Sequence, residues 1–462
     1  MNELCTVILA AGQGTRMRSK LPKVLHPVAG LPMIAHVIEA CRPLCATRTL
    51  VIAGHQADRV KQALAGEALE FVSQPDQRGT AHALLQTTEA LAGFDGDLLV
   101  VSGDTPLLTS QTLADLLWSH RETHALATVL TTELPDPTGY GRVIRSATGA
   151  VLRIVEELEA TQQERQIREI NAGVYCFAAQ ALFLAIQSIR PSAVKGELYL
   201  PDAIALLRDR DGGVQAHRVD DPDEVRGVNT RAELADIHRI LWRKSAERLL
   251  AEGVTLLDPE RAYIGPLVRI GSDSILYPNV IIEGQTVIGE GATIYSGCRI
   301  RDSTIGDDSV ILDGCVIQES QIGSGCHVGP YAHLRPEAQL RQHAKVGNFV
   351  EIKKSIVGEG SKVPHLSYIG DTAIGERVNV GAGTITCNYD GFAKHRTVIE
   401  DDVFVGSDVI LVAPVSVGRG AIIAAGSTIT ENVPPDALAF GRARQVNQSG
   451  SASVFRSNHR KE

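Results

Sequence analysis

From Ile264 onward the chain repeats every six residues, and few folds tolerate that. Ile264, Ile270, Leu276, Ile282, Ile288, Ile294 and Ile300 stand six apart. The phase slips by one at Ile305, and Ile311 and Ile317 follow. It slips again at Ile322, and Val328, Leu334, Leu340, Val346 and Ile352 continue; Val405, Leu411, Val417, Ile423 and Ile429 resume it near the end. Glycine often comes next, as at Gly265, Gly271, Gly329, Gly347 and Gly406. Neither an α-helix nor an alternating strand has this period. A chain wound into a triangular prism does. Each side supplies one inward aliphatic, small residues turn the corners, and three sides complete a coil. Stacked at ~4.8 Å, about nine or ten coils would make a rod of ~45 Å.

The first half has a different rhythm. Short apolar runs at residues 5–9, 50–53 and 98–101 alternate with amphipathic stretches at 32–40 and 111–119. Strands alternating with helices predict an α/β, Rossmann-like domain with a mostly parallel sheet. A helix is expected over residues 231–252. Thr230 and Glu233 fit a capping box, Gly253 fits the stop, and Leu234, Ile237, Ile240 and Leu241 share one face. The expected organisation is therefore a domain at 1–228, a linker helix at 229–253, a β-helix at 254–436 and a tail at 437–462. The period is expected to end after Pro435, and residues 445–462 to be polar and mobile.

A net charge of −9, from 45 basic and 54 acidic residues, leaves no electrostatic footprint for nucleic acid. No run reaches the roughly 18 apolar residues of a membrane span. The first apolar run, residues 7–11, lacks a basic n-region, so a cytoplasmic protein without a signal peptide is expected. Eight scattered cysteines match no zinc spacing and read as reduced, mostly buried thiols.

Chemistry is concentrated first in Leu9-Ala10-Ala11-Gly12-Gln13-Gly14-Thr15-Arg16-Met17, followed by Leu21-Pro22-Lys23. Glycines after a strand let backbone N–H groups approach a polyphosphate, and Arg16 and Lys23 add positive charge. The loop lacks the Gly-Lys-Ser/Thr of a P-loop and the third glycine of a dinucleotide fingerprint; no acidic residue follows the second strand at Gly54-His55. Asp104, in Ser102-Gly103-Asp104-Thr105-Pro106, follows a third strand where a carboxylate can serve a metal.

The Gly-x-Gly-Thr-Arg-Met string with its Pro-Lys resembles the nucleotide-sugar pyrophosphorylase family. That resemblance implies that Leu9, Ala10, Ala11, Gly12, Ser102 and Gly103 line a nucleotide site with catalytic Arg16 and Lys23, and that Asp104 and Asn229 hold Mg²⁺. Asn229 also adjoins the helix cap, which is its structural alternative. Within the family's uridyltransferase branch, Gln74, Gly79 and Thr80 match the uracil-reading segment, and Gly141, Glu156 and Asn171 the residues that hold the amino sugar. Ser102 stands where many relatives carry an aromatic residue.

The second concentration lies where the repeat falters. Between Val380 and Val398 the hexads are lost in residues 381–391, with His365, Tyr368, Lys353 and Arg335 nearby. Interruptions on one face of a solenoid are commonly binding features. Three strings, residues 346–354, 365–371 and 381–391, resemble bacterial bifunctional enzymes that join N-acetylglucosamine-1-phosphate uridyltransferase to glucosamine-1-phosphate N-acetyltransferase. The resemblance covers nearly the whole chain. It implies a left-handed hexapeptide-repeat β-helix, a homotrimer with sites between subunits, and acetyl-CoA as acetyl donor. His365 would be the general base, oriented by Glu351. Arg335, Lys353, Tyr368 and Asn379 would bind the sugar phosphate. Ala382, Ser407, Ala425 and Arg442 would contact acetyl-CoA, with Asn388 and Tyr389 on a closing loop. The product, UDP-N-acetylglucosamine, would supply peptidoglycan and lipopolysaccharide precursors. Two other readings are a pyrophosphorylase whose β-helix only trimerises, which His365 and the Asn388-Tyr389 loop oppose, and a non-catalytic assembly protein, which Arg16, Lys23 and Asp104 oppose.

Overall fold

The computed structural model describes residues 2–459; Met1 and residues 460–462, the outermost parts of the expected first domain and tail, lie outside them. The chain divides into two compact units, Met1–Leu241 and Trp242–Glu462.

The first unit is built on a mixed nine-stranded sheet. Its strand Leu4–Ala10 runs parallel to Arg48–Ala53 on one side and to Asp97–Ser102 on the other. Glu70–Ser73 extends the parallel part. Beyond Asp97–Ser102, the strand Glu169–Ala178 turns antiparallel and pairs with Ala127–Glu133, and Val214–Arg218 closes that edge. The central strands are apolar almost throughout because both faces are covered. Val7, Leu50, Leu98 and Phe177 pack on one face with Leu84 and Leu182, from the helices Thr80–Leu85 and Ala179–Ile186. Ile8, Val51, Leu99 and Cys176 pack on the other with Val37 and Leu116, from the helices Met33–Cys41 and Ser110–Glu122. Strand order reverses at Leu4–Ala10, and ligands of such sheets bind beyond the carboxyl ends of the strands at the reversal.

The helix Arg231–Ala251 begins in the first unit and ends in the second. Its capping box is formed: Thr230 Oγ1 accepts from the Glu233 N–H at 3.2 Å, and Glu233 Oε2 accepts from the N–H groups of Thr230 and Asn229 at 2.9 and 2.6 Å. Leu234, Ile237, Ile240 and Leu241 are buried.

In the second unit three parallel sheets of eleven, ten and nine short strands wind into a prism. Each strand pairs with one a coil later, as in Ile294↔Ile311, Ile300↔Ile317 and Ile305↔Ile322. The phase slips at Ile305 and Ile322 therefore preserve the register. We call the side with His327–Val328 the first, that with His333–Leu334 the second and that with Gln339–Leu340 the third. The first edge joins the first and second sides; the second edge joins the second and third. Every hexad aliphatic from Ile264 to Ile352 points into one continuous core, with Cys298, Cys315 and Cys326.

Two expectations are corrected. The coil does not dissolve over residues 381–391: Ile385–Cys387 is an ordinary strand of the second side, paired with Tyr368–Gly370 and Ile410–Val412, and the excursion is confined to residues 388–396. The buried inward residue there is Thr386, whose hydroxyl accepts from the Gly370 N–H at 2.8 Å, so a satisfied polar residue hides the rung from an apolar pattern. Nor do the coils stop at Pro435, because Leu438–Ala439 pairs with Ile422–Ile423. Ser451–His459, within the expected mobile tail, forms a fully exposed helix with Phe455 stacked on His459. Among the described residues no helix is long and apolar enough to cross a membrane.

The prism predicts an inward–outward asymmetry. Ile317→Ala removes a fully buried side chain and should cost about 2–5 kcal/mol, whereas outward Gln321→Ala should stay within about 0.5 kcal/mol. Urea titrations of the two variants check this, and equal losses would contradict the inward assignment.

Two candidate active sites

The first site lies where strand order reverses. A cavity of about 510 Å³ is lined by Leu9, Ala10, Ala11 and Gly12 from the loop after the first strand, by Lys23, by Gln74, Gly79 and Thr80, and by Ser102 and Asp104. That volume suits a small ligand. Gly103 is buried against the same strand end, its N–H donating to the Leu9 carbonyl at 2.9 Å. Gln74 is buried; its amide donates to the Gly79 carbonyl at 3.2 Å and to His82 Nδ1 at 3.0 Å. Gly79 has φ +108°, and a Cβ there would lie 2.3 Å from the Leu198 carbonyl oxygen. Only glycine lets this segment pass so close to residues 198–200. Arg16 sits exposed on the short turn Thr15–Met17, outside the cavity lining.

The ammonium of Lys23, one of the lining residues, lies between two oxygens. It pairs with Asp104 Oδ2 and donates to Asn229 Oδ1 at 3.0 Å. Asn229 is not the helix cap: Thr230 caps, Glu233 holds the Asn229 backbone, and the Asn229 side chain turns to Lys23. Two hard oxygen donors from distant segments thus converge on one positive charge. This donor set fits Mg²⁺, which takes few protein oxygens and completes its shell with phosphate and water. No cluster of three or more His, Cys, Asp or Glu side chains suited to a metal occurs among the described residues.

Gly141, Glu156 and Asn171 form a neighbouring group. A Cβ on Gly141 would stand 3.4 Å from Glu156 Oε1 and 3.6 Å from the Asn171 Cβ. Burial pushes the Glu156 carboxyl above its usual range, opposed by the charge of Lys195. Glu197 and Tyr199 also line the cavity and were not anticipated. They lie far along the chain from any motif, and only the pairing of Leu198 with Arg78 and Ala81 brings them in.

The second set of residues falls on two edges of the prism. His365 ends the first-side strand Lys362–His365, and Ala382, Ser407 and Ala425 occupy the same edge in the coils that follow. A Cβ on Gly381 would meet the Ser407 N–H nitrogen at 2.5 Å, and one on Gly406 the Ala425 nitrogen at 2.5 Å, so these coils touch without intervening side chains. Arg442 closes the row, its Cδ 3.8 Å from the corresponding point at Gly426. The expected partner of His365 is corrected. His365 Nδ1 is 2.6 Å from Asn348 Oδ1, while Glu351 pairs with Arg335 at 2.8 Å. The reason is register. Asn348 and His365 are aligned on the first edge, whereas Glu351 faces outward from the second side.

The second edge is cationic. Arg335 and Lys353 stand on it in successive coils. The charge of Lys353 holds Lys394, from the excursion 388–396, below the usual lysine range, opposed by the carboxylate of Asp371. A bound anion would relieve the repulsion between the two ammonium groups. Lys394 was missed because the excursion carries no repeat to index it. Buried Asn388 donates to Asp371 Oδ2 at 2.5 Å, and both the Asn388 amide and the Tyr368 hydroxyl crowd over Gly370. Asp390, held well below the usual carboxylate range by N–H donation from Ala393 and by His395, fixes the excursion and leaves Tyr389 exposed. Asn379 lies half-buried on the first side, one coil below Lys362. A larger depression of about 780 Å³ on the third side, among Gln321, Gln339 and Arg341, contains none of the expected catalytic or binding residues.

Family models match three stretches: a MobA-like NTP transferase domain at residues 6–174, a GMPPB C-terminal domain at 259–338, and bacterial transferase hexapeptide (six repeats) at 396–431. Fold and sites thus define a nucleotidyltransferase joined to a hexapeptide-repeat acyltransferase, the prism being a left-handed β-helix. The bifunctional protein GlmU of Listeria monocytogenes serotype 4b (strain CLIP80459) is 50% identical over 452 residues, 98% of each chain. That of Listeria welshimeri serovar 6b is 50% identical over 461 residues, 100% of each, and that of Geobacter metallireducens 49% identical over 468 residues, 97% of this chain and 98% of its own. The chain belongs to the bifunctional GlmU family.

Gly79→Ala should displace the segment that carries Gln74 and Thr80. We expect uridylyl transfer to fall about 10²-fold with acetyl transfer unchanged, measured as separate initial rates on one preparation. An unaffected uridylyl rate would contradict the close approach to Leu198 as a requirement of the site.

Proposed function

We propose that this chain makes UDP-N-acetylglucosamine in two reactions at two sites. The β-helix transfers the acetyl group of acetyl-CoA to glucosamine 1-phosphate. The N-terminal unit then joins N-acetylglucosamine 1-phosphate to UTP and releases pyrophosphate. Membership of the bifunctional family supports the pairing. The observation that carries it is the presence on one chain of a hard-oxygen pair in a nucleotide-sized cavity and an imidazole above a row of small residues.

In the uridylyl step, an oxygen of the sugar phosphate attacks the α-phosphorus of UTP, and the bond to the bridging oxygen of pyrophosphate breaks. The nucleophile is already an anion, so no general base is needed; alignment and charge neutralisation carry the reaction. Residues 9–12 bring backbone N–H groups to the phosphates. Lys23, and Arg16 on the same loop, meet the charge gathering on the leaving group. Gln74, Gly79 and Thr80 read uracil, and Gly141, Glu156 and Asn171 hold the amino sugar. Asp104 and Asn229 would hold Mg²⁺, which when bound would neutralise phosphate charge.

In the acetyl step, the sugar amine attacks the thioester carbonyl, its proton passes to His365, and the sulfur of CoA departs. Imidazole suits a proton transfer near neutrality. Arg335, Lys353 and Lys394, with Tyr368 and Asn379, hold the sugar phosphate. Ala382, Ser407, Ala425 and Arg442 line the acetyl-CoA path, and Asn388 and Tyr389 close it. His365 and the cationic cluster lie on different edges. The corner at Leu366 and the second-side strand Tyr368–Gly370 lie between them. We read a complete site as joining the first edge of one copy to the second edge of the next, a head-to-tail contact that closes as a trimer. Its substrates place the enzyme in the cytoplasm.

Asp104→Asn should abolish uridylyl transfer and spare acetyl transfer, and His365→Ala should do the reverse. Coupled and separate assays decide it, and parallel loss of both activities in a folded variant would break the two-site reading. The shared site has its own test. Mixing inactive His365→Ala and Lys353→Ala chains under subunit exchange should restore part of the acetyl transfer, because some interfaces then carry both intact edges. No recovery after demonstrated exchange would place each site within one chain.

A further inference from the structure

Asn348 stands out in the second unit because its polar side chain engages the imidazole on which acetyl transfer depends. We propose that Asn348 is the positioning residue of His365, fixing both ring orientation and tautomer. The inference rests on reading His365 as the base. An amide oxygen can only accept. At 2.6 Å from Nδ1 it selects the tautomer with hydrogen on Nδ1 and leaves the lone pair on Nε2.

The backbone around this exposed contact is closely constrained. Along most of the prism the strands are two residues long, but here Lys345–Asn348 and Lys362–His365 stay extended for four, carrying the register to the pair Asn348↔His365 itself. The Leu366 N–H donates to the Asn348 carbonyl at 3.0 Å, and Ser367 Oγ donates to the His365 carbonyl at 2.8 Å. One residue earlier the coils come so close that a Cβ on Gly347 would lie 1.8 Å from the Pro364 carbonyl oxygen. Directly after the pair, Phe349 and Leu366 take positive φ values of 56° and 48°, an uncommon conformation for large side chains, and turn their bulk outward. The backbone on both sides of each partner is thereby held.

A neutral partner has a chemical consequence. A carboxylate beside Nδ1 would favour the imidazolium and raise the pH at which the base becomes free. The nearest carboxylate of the second side, Glu351, is engaged by Arg335. The other ionisable groups near His365 are Lys345 and Lys362 on the first side, Tyr368 on the second, and Asp408 two coils further along the edge. Within one chain the group at Nδ1 is the neutral amide of Asn348.

The experiment compares Asn348→Ala, Asn348→Asp and His365→Ala in the full-length protein. It measures acetyl transfer to glucosamine 1-phosphate across pH, with uridylyl transfer as the control for folding. Asn348→Ala should lower kcat by about 10- to 100-fold, less than loss of the base itself, with KM for both substrates little changed. Asn348→Asp should keep the geometry and move the acidic limb of kcat/KM upward by about one pH unit, because the base must be unprotonated to act. A parental kcat in Asn348→Ala, or an unmoved limb in Asn348→Asp, overturns the proposal. If Asn348→Ala loses uridylyl transfer as well, it has failed to fold, and the limb of Asn348→Asp decides. Substantial acetyl transfer by His365→Ala would instead remove the base assignment, independently of Asn348.

Discussion

The close stacking of coils in the second unit governs most of what that unit can do. Each inward aliphatic is buried against those of the coils above and below, and the backbone hydrogen bonds run between coils. Ile300, Ile317 and Leu334 thus form one continuous column rather than three local contacts. Because register is preserved through the phase slips, residues one coil apart lie directly above one another. A repeat in sequence becomes a row in space, and the edges of the prism become places where unrelated side chains can be aligned.

Both halves of the second site use that alignment. Asn348, His365, Ala382, Ser407 and Ala425 follow one another along the first edge, and Arg335 and Lys353 along the second. Small residues on the first edge after His365 let the coils touch, while bulky Tyr331, Phe349 and Leu366 project from the same edge in the coils up to the imidazole. The excursion at residues 388–396 adds a further ammonium group, Lys394, beside Lys353. A rigid scaffold with one short excursion places polar groups better than a long loop would.

The first unit solves the same problem differently. Reversal of strand order beside Leu4–Ala10 places the glycine loop, the Asp104 turn and the segment around Gln74 at neighbouring strand ends. The last oxygen donor comes from outside the sheet. Glu233 caps the helix Arg231–Ala251 and in the same contact holds the Asn229 backbone, so helix initiation and the position of a proposed metal ligand are one structural event. The charge on Lys23 occupies the point on which Asp104 and Asn229 converge.

The sequence alone determined the features that depend on local pattern: the prism from its six-residue period, the α/β class from alternating runs, the helix at residue 231 from its capping box, and the phosphate loop from its glycines. Period and capping are read from neighbours in the chain, so no folded contact is needed to see them. Apolar pattern misread residues 381–391 because Thr386 fills an inward position with a satisfied hydroxyl. Only the tertiary structure decided which side chains meet across coils and strands. It paired His365 with Asn348 rather than Glu351, turned Asn229 from the cap to Lys23, and brought Glu197, Tyr199 and Lys394 to sites with no motif to mark them. Those contacts depend on which edge or side of the fold each residue occupies, and that is settled only when the register between distant segments is set.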